Sequence, residues 1–241
     1  MVLLLRILLQ FFLLGVFIQS VHANEEPVSD DGVHEQTANF MFGLGYGLLN
    51  EKSLVNIDLN INMPINGALF TQIQLNSNYL ATGSTTDSFA QSELSSNWFL
   101  HNEYGRLGVG IGVNELEPLD EEQETEREVL GQLIGSFYMN SWSVSARYIS
   151  NDTAFSNITS SRLGLSYFLH DNHRVSFYRE KYSENNTGWR LENYYQPKKH
   201  KQALGMGWIV RTSDDYDYLG FIVQYYFDYK LSLRERAVMD H

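Results

Sequence analysis

At 241 residues, with 17 basic against 29 acidic side chains, the chain carries a formal net charge of −12. That balance excludes a nucleic-acid partner, which would call for a basic surface. The absence of cysteine excludes a disulfide scaffold and a lipid-anchored N-terminal cysteine, and a disulfide-free exported chain fits a bacterial envelope best.

The first element is a targeting segment. Arg6 precedes an apolar run from Ile7 to Ile18, and Val21 and Ala23 close it before an acidic stretch. This pattern reads as a signal peptide, residues 1–23, cleaved after Ala23. The run is shorter than the roughly 20 residues of a membrane-spanning helix. Residues 24–36 read as a flexible lead-in. No later segment reaches the roughly 18 apolar residues of a spanning helix, so any membrane residence must be as a closed β-barrel, which satisfies every backbone group internally.

From Phe40 onward the chain alternates with a period of two, the signature of strands with one apolar face. The first strand sets Phe40, Phe42, Leu44, Tyr46 and Leu48 against three glycines. The second sets Val55, Ile57, Leu59, Ile61 and Met63 against Asn56, Asp58, Asn60 and Asn62. The third opposes Leu69, Ile73, Leu75 and Tyr79 to Gln72, Gln74, Asn76 and Asn78. The fourth carries Leu94, Trp98 and Leu100 against Gln91, Glu93 and Asn97; the fifth carries Leu107, Val109, Ile111 and Val113 against Arg106 and three glycines.

The sixth strand, near Val129 to Met139, has poorly separated faces. The seventh sets Trp142, Val144, Ala146 and Tyr148 against Arg147, and the eighth sets Leu163, Leu165, Tyr167 and Leu169 against Arg162. The short ninth holds Val175 and Phe177 against Arg174 and Tyr178, and the tenth holds Trp189, Leu191 and Tyr195 against Arg190 and Glu192. The eleventh places Leu204, Met206, Trp208 and Val210 against Gly205 and Gly207, and the twelfth is Leu219 to Leu233.

The links alternate. Tight turns at "PINGA", "HNEYG", "MNSW", "HDNH" and "PKKHK" exchange with longer polar loops, "NEKS" being the one short exception. Short turns at one end and long loops at the other are the arrangement of an outer-membrane barrel with periplasmic termini. Amides, serines, glycines and a few arginines hold the mid-strand polar positions, while Lys and Glu gather in loops; that suits a polar lumen better than a soluble exterior. Trp98, Trp142 and Trp189 fall near strand ends on the apolar face, as an aromatic girdle requires. The expected fold is therefore all-β: a transmembrane antiparallel up-and-down barrel of twelve strands over residues 37–233, with 234–241 as a periplasmic tail. Asn151, Asn157 and Asn185 stand in sequons that the expected compartment makes incidental.

On these features the chain resembles the bacterial outer-membrane β-barrel proteins. The resemblance implies residence in the bacterial outer membrane, contact with outer-membrane lipids and lipopolysaccharide, and handling by the barrel-assembly machinery. The aromatic-rich last strand is similar to that machinery's sorting signal, with Phe227 or Leu233 in the terminal position, although "RERAVMDH" follows.

The lumen candidates are Arg106, Arg147, Arg162, Arg174 and Arg190, read as one wall, with Asn56, Asp58, Asn60, Gln72 and Gln74 opposite and Glu93 and Glu192 as acidic partners. Fixed positive charge beside amides suits a narrow porin-like channel for a small polar or anionic solute. It also resembles the small twelve-stranded channels for acidic oligosaccharides. The same charges can instead pair across the lumen and fill it, giving a plugged structural or interaction barrel. Inward glycines either widen the lumen or relieve curvature.

A lipid-modifying hydrolase would need Ser and His together on the outward face. "HRVS", His173 to Ser176, comes nearest, but its parity separates the two. No catalytic residue, cofactor or metal ligand is therefore assigned. The acidic stretch Glu115 to Glu128 has no fixed ligand spacing and reads as a solvated external loop.

Overall fold

The computed structural model describes residues 38–81, 88–120, 124–150, 161–181, 187–198, 203–214, 217–227 and 231–239. The expected signal segment and lead-in, the three sequons, and Asp228 and Lys230 lie outside them.

Twelve strands are present: β1 (Asn39–Leu49), β2 (Lys52–Asn66), β3 (Leu69–Ala81), β4 (Phe89–Asn102), β5 (Gly105–Pro118), β6 (Glu126–Met139), β7 (Trp142–Ser150), β8 (Ser161–His170), β9 (His173–Lys181), β10 (Thr187–Tyr195), β11 (Leu204–Ser213) and β12 (Asp217–Tyr226). Each pairs antiparallel with its sequence neighbour, and β1 pairs with β12, closing the barrel. Closure leaves no edge with unpaired backbone groups. A short helix, α1 (Leu233–Met239), follows β12.

Alternation decides what faces outward. Leu107, Val109 and Ile111 on β5 are each more than half exposed, whereas Leu130 and Phe99 are fully buried. Exposed apolar side chains recur on every strand from β1 to β12. A continuous belt of that size is stable against lipid and not against water. β6 resolves cleanly: Val129 and Leu133 point out, while Leu130 and Gln132 are buried inside.

The tight links mark one end of the barrel, here the turn end. Asn66 Oδ1 accepts hydrogen bonds from the backbone N–H of Ala68 and Leu69, both at 2.9 Å. Asn102 Oδ1 does the same for Tyr104 and Gly105 at 2.9 and 3.1 Å. These side chains satisfy donors the two-residue turns leave open. At the opposite, loop end, Asn50 and Glu51 adopt φ of 47° and 68° in the β1–β2 turn, the left-handed geometry that matches strand twist.

Two boundaries differ from the sequence reading. β5 runs to Pro118 and β6 starts at Glu126, so both ends of the acidic stretch are strand, with Arg127 on β6 paired to Glu115 on β5. At about 3.3 Å per residue, the 14-residue β4, β5 and β6 stand taller than the 9-residue β7, β9 and β10. At the other boundary, β12 stops at Tyr226 and its ladder ends where the Phe227 N–H meets the Phe40 carbonyl. β1 begins at Asn39, so among the described residues the β1–β12 ladder does not carry the pattern on to Leu233.

Candidate functional site: a cationic cavity closed at one end

A cavity of about 620 Å³ occupies the barrel interior. It reaches from Leu49, Asn50, Lys52 and Tyr218 near the loop end to Met41, Asn60, Tyr194 and Ile222 deeper inside. Five cations line it, Lys52, Arg147, Arg162, Arg190 and Arg211, against two carboxylates, Asp58 and Glu93. The chain as a whole is strongly acidic, so its interior has the opposite sign to its net charge.

Three of the cations, Arg162, Arg190 and Arg211, are held by carboxylates set behind them. Glu180 on β9 is fully buried and meets three guanidinium groups: Arg211 at 3.1 Å, Arg162 at 3.8 Å and Arg190 at 3.9 Å. Glu192 on β10 pairs closely with Arg190 and lies 3.9 Å from Arg174. β9 and β11 flank β10 in the sheet, so the Glu180–Arg211 contact passes over β10 on the inner wall. Tyrosine rings support the same groups, Tyr178 beneath Arg162 at 5.1 Å and Tyr194 beneath Arg174 at 5.3 Å. Charged groups in such a low-dielectric setting persist only when paired in this way.

Arg147 is held from the other side. It donates to Glu93 at 3.0 Å and to Gln132 at 2.8 Å, reaching from β7 across to β4. Gln132 also donates to Glu93 at 3.2 Å.

Facing this wall, β2 and β3 present an amide surface bonded to itself. Asn56 donates to Asn78 at 3.0 Å, Asn78 to Asn76 at 2.7 Å, and Asn76 closely to Asp58. Gln72 donates to Asn62 at 2.7 Å, and Asn97 to Gln74 at 3.4 Å. Asn56, Gln74, Asn76 and Asn78 of this network line the cavity, and an amide that spends one group on a neighbour has others to offer a solute.

The turn end is filled. Leu233 of α1 is buried with Phe168, Tyr194, Ile209, Ile222 and Tyr226, inward residues of β8 and β10–β12. Ser232 and Glu235 form a capping box: Ser232 Oγ accepts from the Glu235 N–H at 3.2 Å, and Glu235 accepts from the Ser232 N–H at 2.7 Å. That pairing satisfies donors at the helix start. Arg236 is buried and lies 4.0 Å from the Tyr226 ring centre. The expected free tail at 234–241 is therefore corrected over 234–239. Its start was legible as S-x-x-E, but the apolar alternation running to Leu233 masked it.

The inward glycines do not widen the lumen. Side chains of the adjacent strand occupy the space a Cβ would take: Phe99 over Gly108, Tyr178 over Gly164 and Tyr194 over Gly207. The glycines thus seat the aromatic rings that carry the arginines.

Of the five expected wall arginines, Arg147, Arg162, Arg174 and Arg190 gather around the two buried glutamates and Glu93. Arg106 does not. It sits near the turn end, 4.9 Å above Phe99, which stacks on Phe70 at 4.7 Å. Arg211 takes its place; the sequence reading ended that strand at Val210. Trp98, Trp142 and Trp189 all face outward, Trp98 and Trp142 toward the turn end and Trp189 toward the loop end. On the outer face His173 Nε2 meets Asn193 Oδ1 at 2.9 Å. The residues paired with these two are His170, Tyr195, Val175 and Trp208, none of them serine. Ser176 lies inside, hydrogen-bonded to Ser166 at 2.8 Å. Among the described residues no three His, Asp or Glu side chains are grouped to hold a metal ion.

No protein-family model matches the chain, and no curated protein matches it by sequence. Solved structures do. The KdgM porin in complex with disordered oligogalacturonate is similar with a TM-score of 0.55 at 12% identity, covering 77% of this chain and 98% of that one. Outer membrane phospholipase A from Escherichia coli is similar with a TM-score of 0.53 at 13% identity, covering 82% and 94%. The fold is that of the bacterial outer-membrane β-barrels. A porin and an enzyme share it, so function rests on this chain's own residues.

Proposed function

We propose that the chain is a narrow porin-like barrel of the bacterial outer membrane, exported with loss of residues 1–23, that admits small polar or anionic solutes from its loop end. That end faces outward, and the turn end faces the periplasm. The observation that carries this reading is the cavity wall: five cations against two carboxylates, opposite a surface of amides. Guanidinium groups attract and orient carboxylated or phosphorylated solutes, and amides exchange hydrogen bonds with hydroxyls.

Planar-bilayer recording tests it. Purified barrel is expected to give small ion-conducting steps with an anion preference. The preference should fall when Arg147→Glu and Arg190→Glu are combined. A folded barrel that stays silent with α1 present and with α1 removed overturns the conduit reading.

One observation favours a second reading, a plugged barrel acting in structure or interaction. The apolar cluster around Leu233 stands across the turn end, and the Arg–Glu pairs satisfy one another. A hydrolase is less well supported, because the outward His173–Asn193 pair has no serine among its strand partners. Phospholipid and lipid A hydrolysis assays on the same preparation separate that outcome from the others.

A further inference from the structure

We propose that α1 is a displaceable stopper, closing the periplasmic end of the barrel and opening it when it leaves. The inference goes beyond solute preference and rests on the conduit reading only in taking the lumen to have a use when open.

The argument starts from what holds the helix. Seven residues are too few for a stable helix in water, since isolated helices shorter than about 12 residues are marginal. α1 therefore owes its structure to docking. Its attachments are local: Leu233 in the apolar cluster, Arg236 against Tyr226, and two contacts with the β8–β9 turn. In that turn the Asp171 carbonyl accepts from the Arg234 N–H at 2.9 Å, and the two side chains pair at 3.4 Å. Gln196 donates to the Leu231 carbonyl at 3.2 Å.

None of these contacts belongs to the strand ladder. The ring from β1 to β12 closes without α1, so the helix can leave while the barrel stays whole. Undocking would unfold the segment, and the chain entropy regained favours the open state. Beneath the helix, the inward positions at this end include Gly43, Ser166, Ser176 and Gln224, beside the rings of Tyr194 and Tyr226 that overlie Gly207 and Gly205. Displacing Leu233 and Arg236 therefore uncovers a partly polar passage toward the cavity.

The native sequence lacks cysteine, which permits a clean test. Asp171→Cys with Arg234→Cys places two thiols where backbone groups already touch. Single-channel current is recorded for the full chain, for this double variant oxidised and reduced, and for a chain ending at Phe227. Folding of each is checked by heat-modifiable electrophoretic mobility. The expected result is a current that disappears on oxidation, returns on reduction, and is largest and steadiest in the shortened chain. A Leu233→Asp variant, which keeps the full length, should fall between the full and shortened chains.

Equal currents in the oxidised and reduced forms, or a folded shortened barrel conducting no more than the full chain, overturn the proposal. Selectivity that ignores Arg147 and Arg190 would instead strike the proposed function and leave the stopper standing.

Discussion

At the residue scale, the interior turns on Glu180. It is buried without solvent contact and serves three arginines from β8, β10 and β11. Replacing it by Gln leaves three guanidinium groups without their shared counter-charge. Breaking a buried pair from one side costs about 3–5 kcal/mol, so Glu180→Gln is expected to lower the urea midpoint of the refolded barrel in detergent by a corresponding amount. Parity made most of these residues legible: a period of two puts Arg147, Arg162, Arg174, Arg190 and Glu192 on one face without any structure. It did not reveal which of them meet. Partners along the inner wall depend on the stagger and tilt with which the sheet closes, which is why parity alone groups Arg106 with the wall; Arg211 lies beyond Val210, in the part of β11 that the apolar alternation does not mark.

At the element scale, neighbouring strands fit by seating rings on glycines. A methyl group at Gly164 would run into Tyr178 and the Ser145 hydroxyl, whereas one at Gly67 meets nothing within 4 Å. Gly164→Ala is therefore expected to destabilise by about 1–3 kcal/mol through overpacking. Gly67→Ala should stay within about 0.5 kcal/mol of the parent, both read from the same urea titration. The outward face has its own cost. Leu165→Arg, midway along β8 and exposed to lipid, should cost about 2–4 kcal/mol in vesicles if it sits at the midplane, and less toward an interface.

Strand existence was readable at this scale because alternation is local. The end of β12 was not. Leu233 continues the apolar parity of Phe221, Val223 and Tyr225, yet it lies inside the barrel, beyond the end of the β1–β12 ladder, where β1 starts at Asn39 and β12 stops at Tyr226. A pairing limit set by another strand leaves no mark in the local pattern, although the Ser232–Glu235 box did.

At the scale of the whole molecule, charge is segregated. Acidic residues outnumber basic ones across the chain, while the cavity wall is cationic. That inversion sets the proposed preference for anions, and fixed charge in a low-dielectric lumen acts over the full length of a narrow passage. The barrel's closure and strand number were legible from the count of alternating segments and the two classes of link. Its closed end was not, because it depends on a helix folding back onto five inward residues from four strands. The central claim is tested most directly by the reversal potential of the chain ending at Phe227 in a KCl gradient, alone and with Arg147→Glu and Arg190→Glu combined. The expected result is an anion-selective potential that shifts toward cation selectivity in the double substitution; a cation-selective parent, or a potential unmoved by the two substitutions, would contradict it.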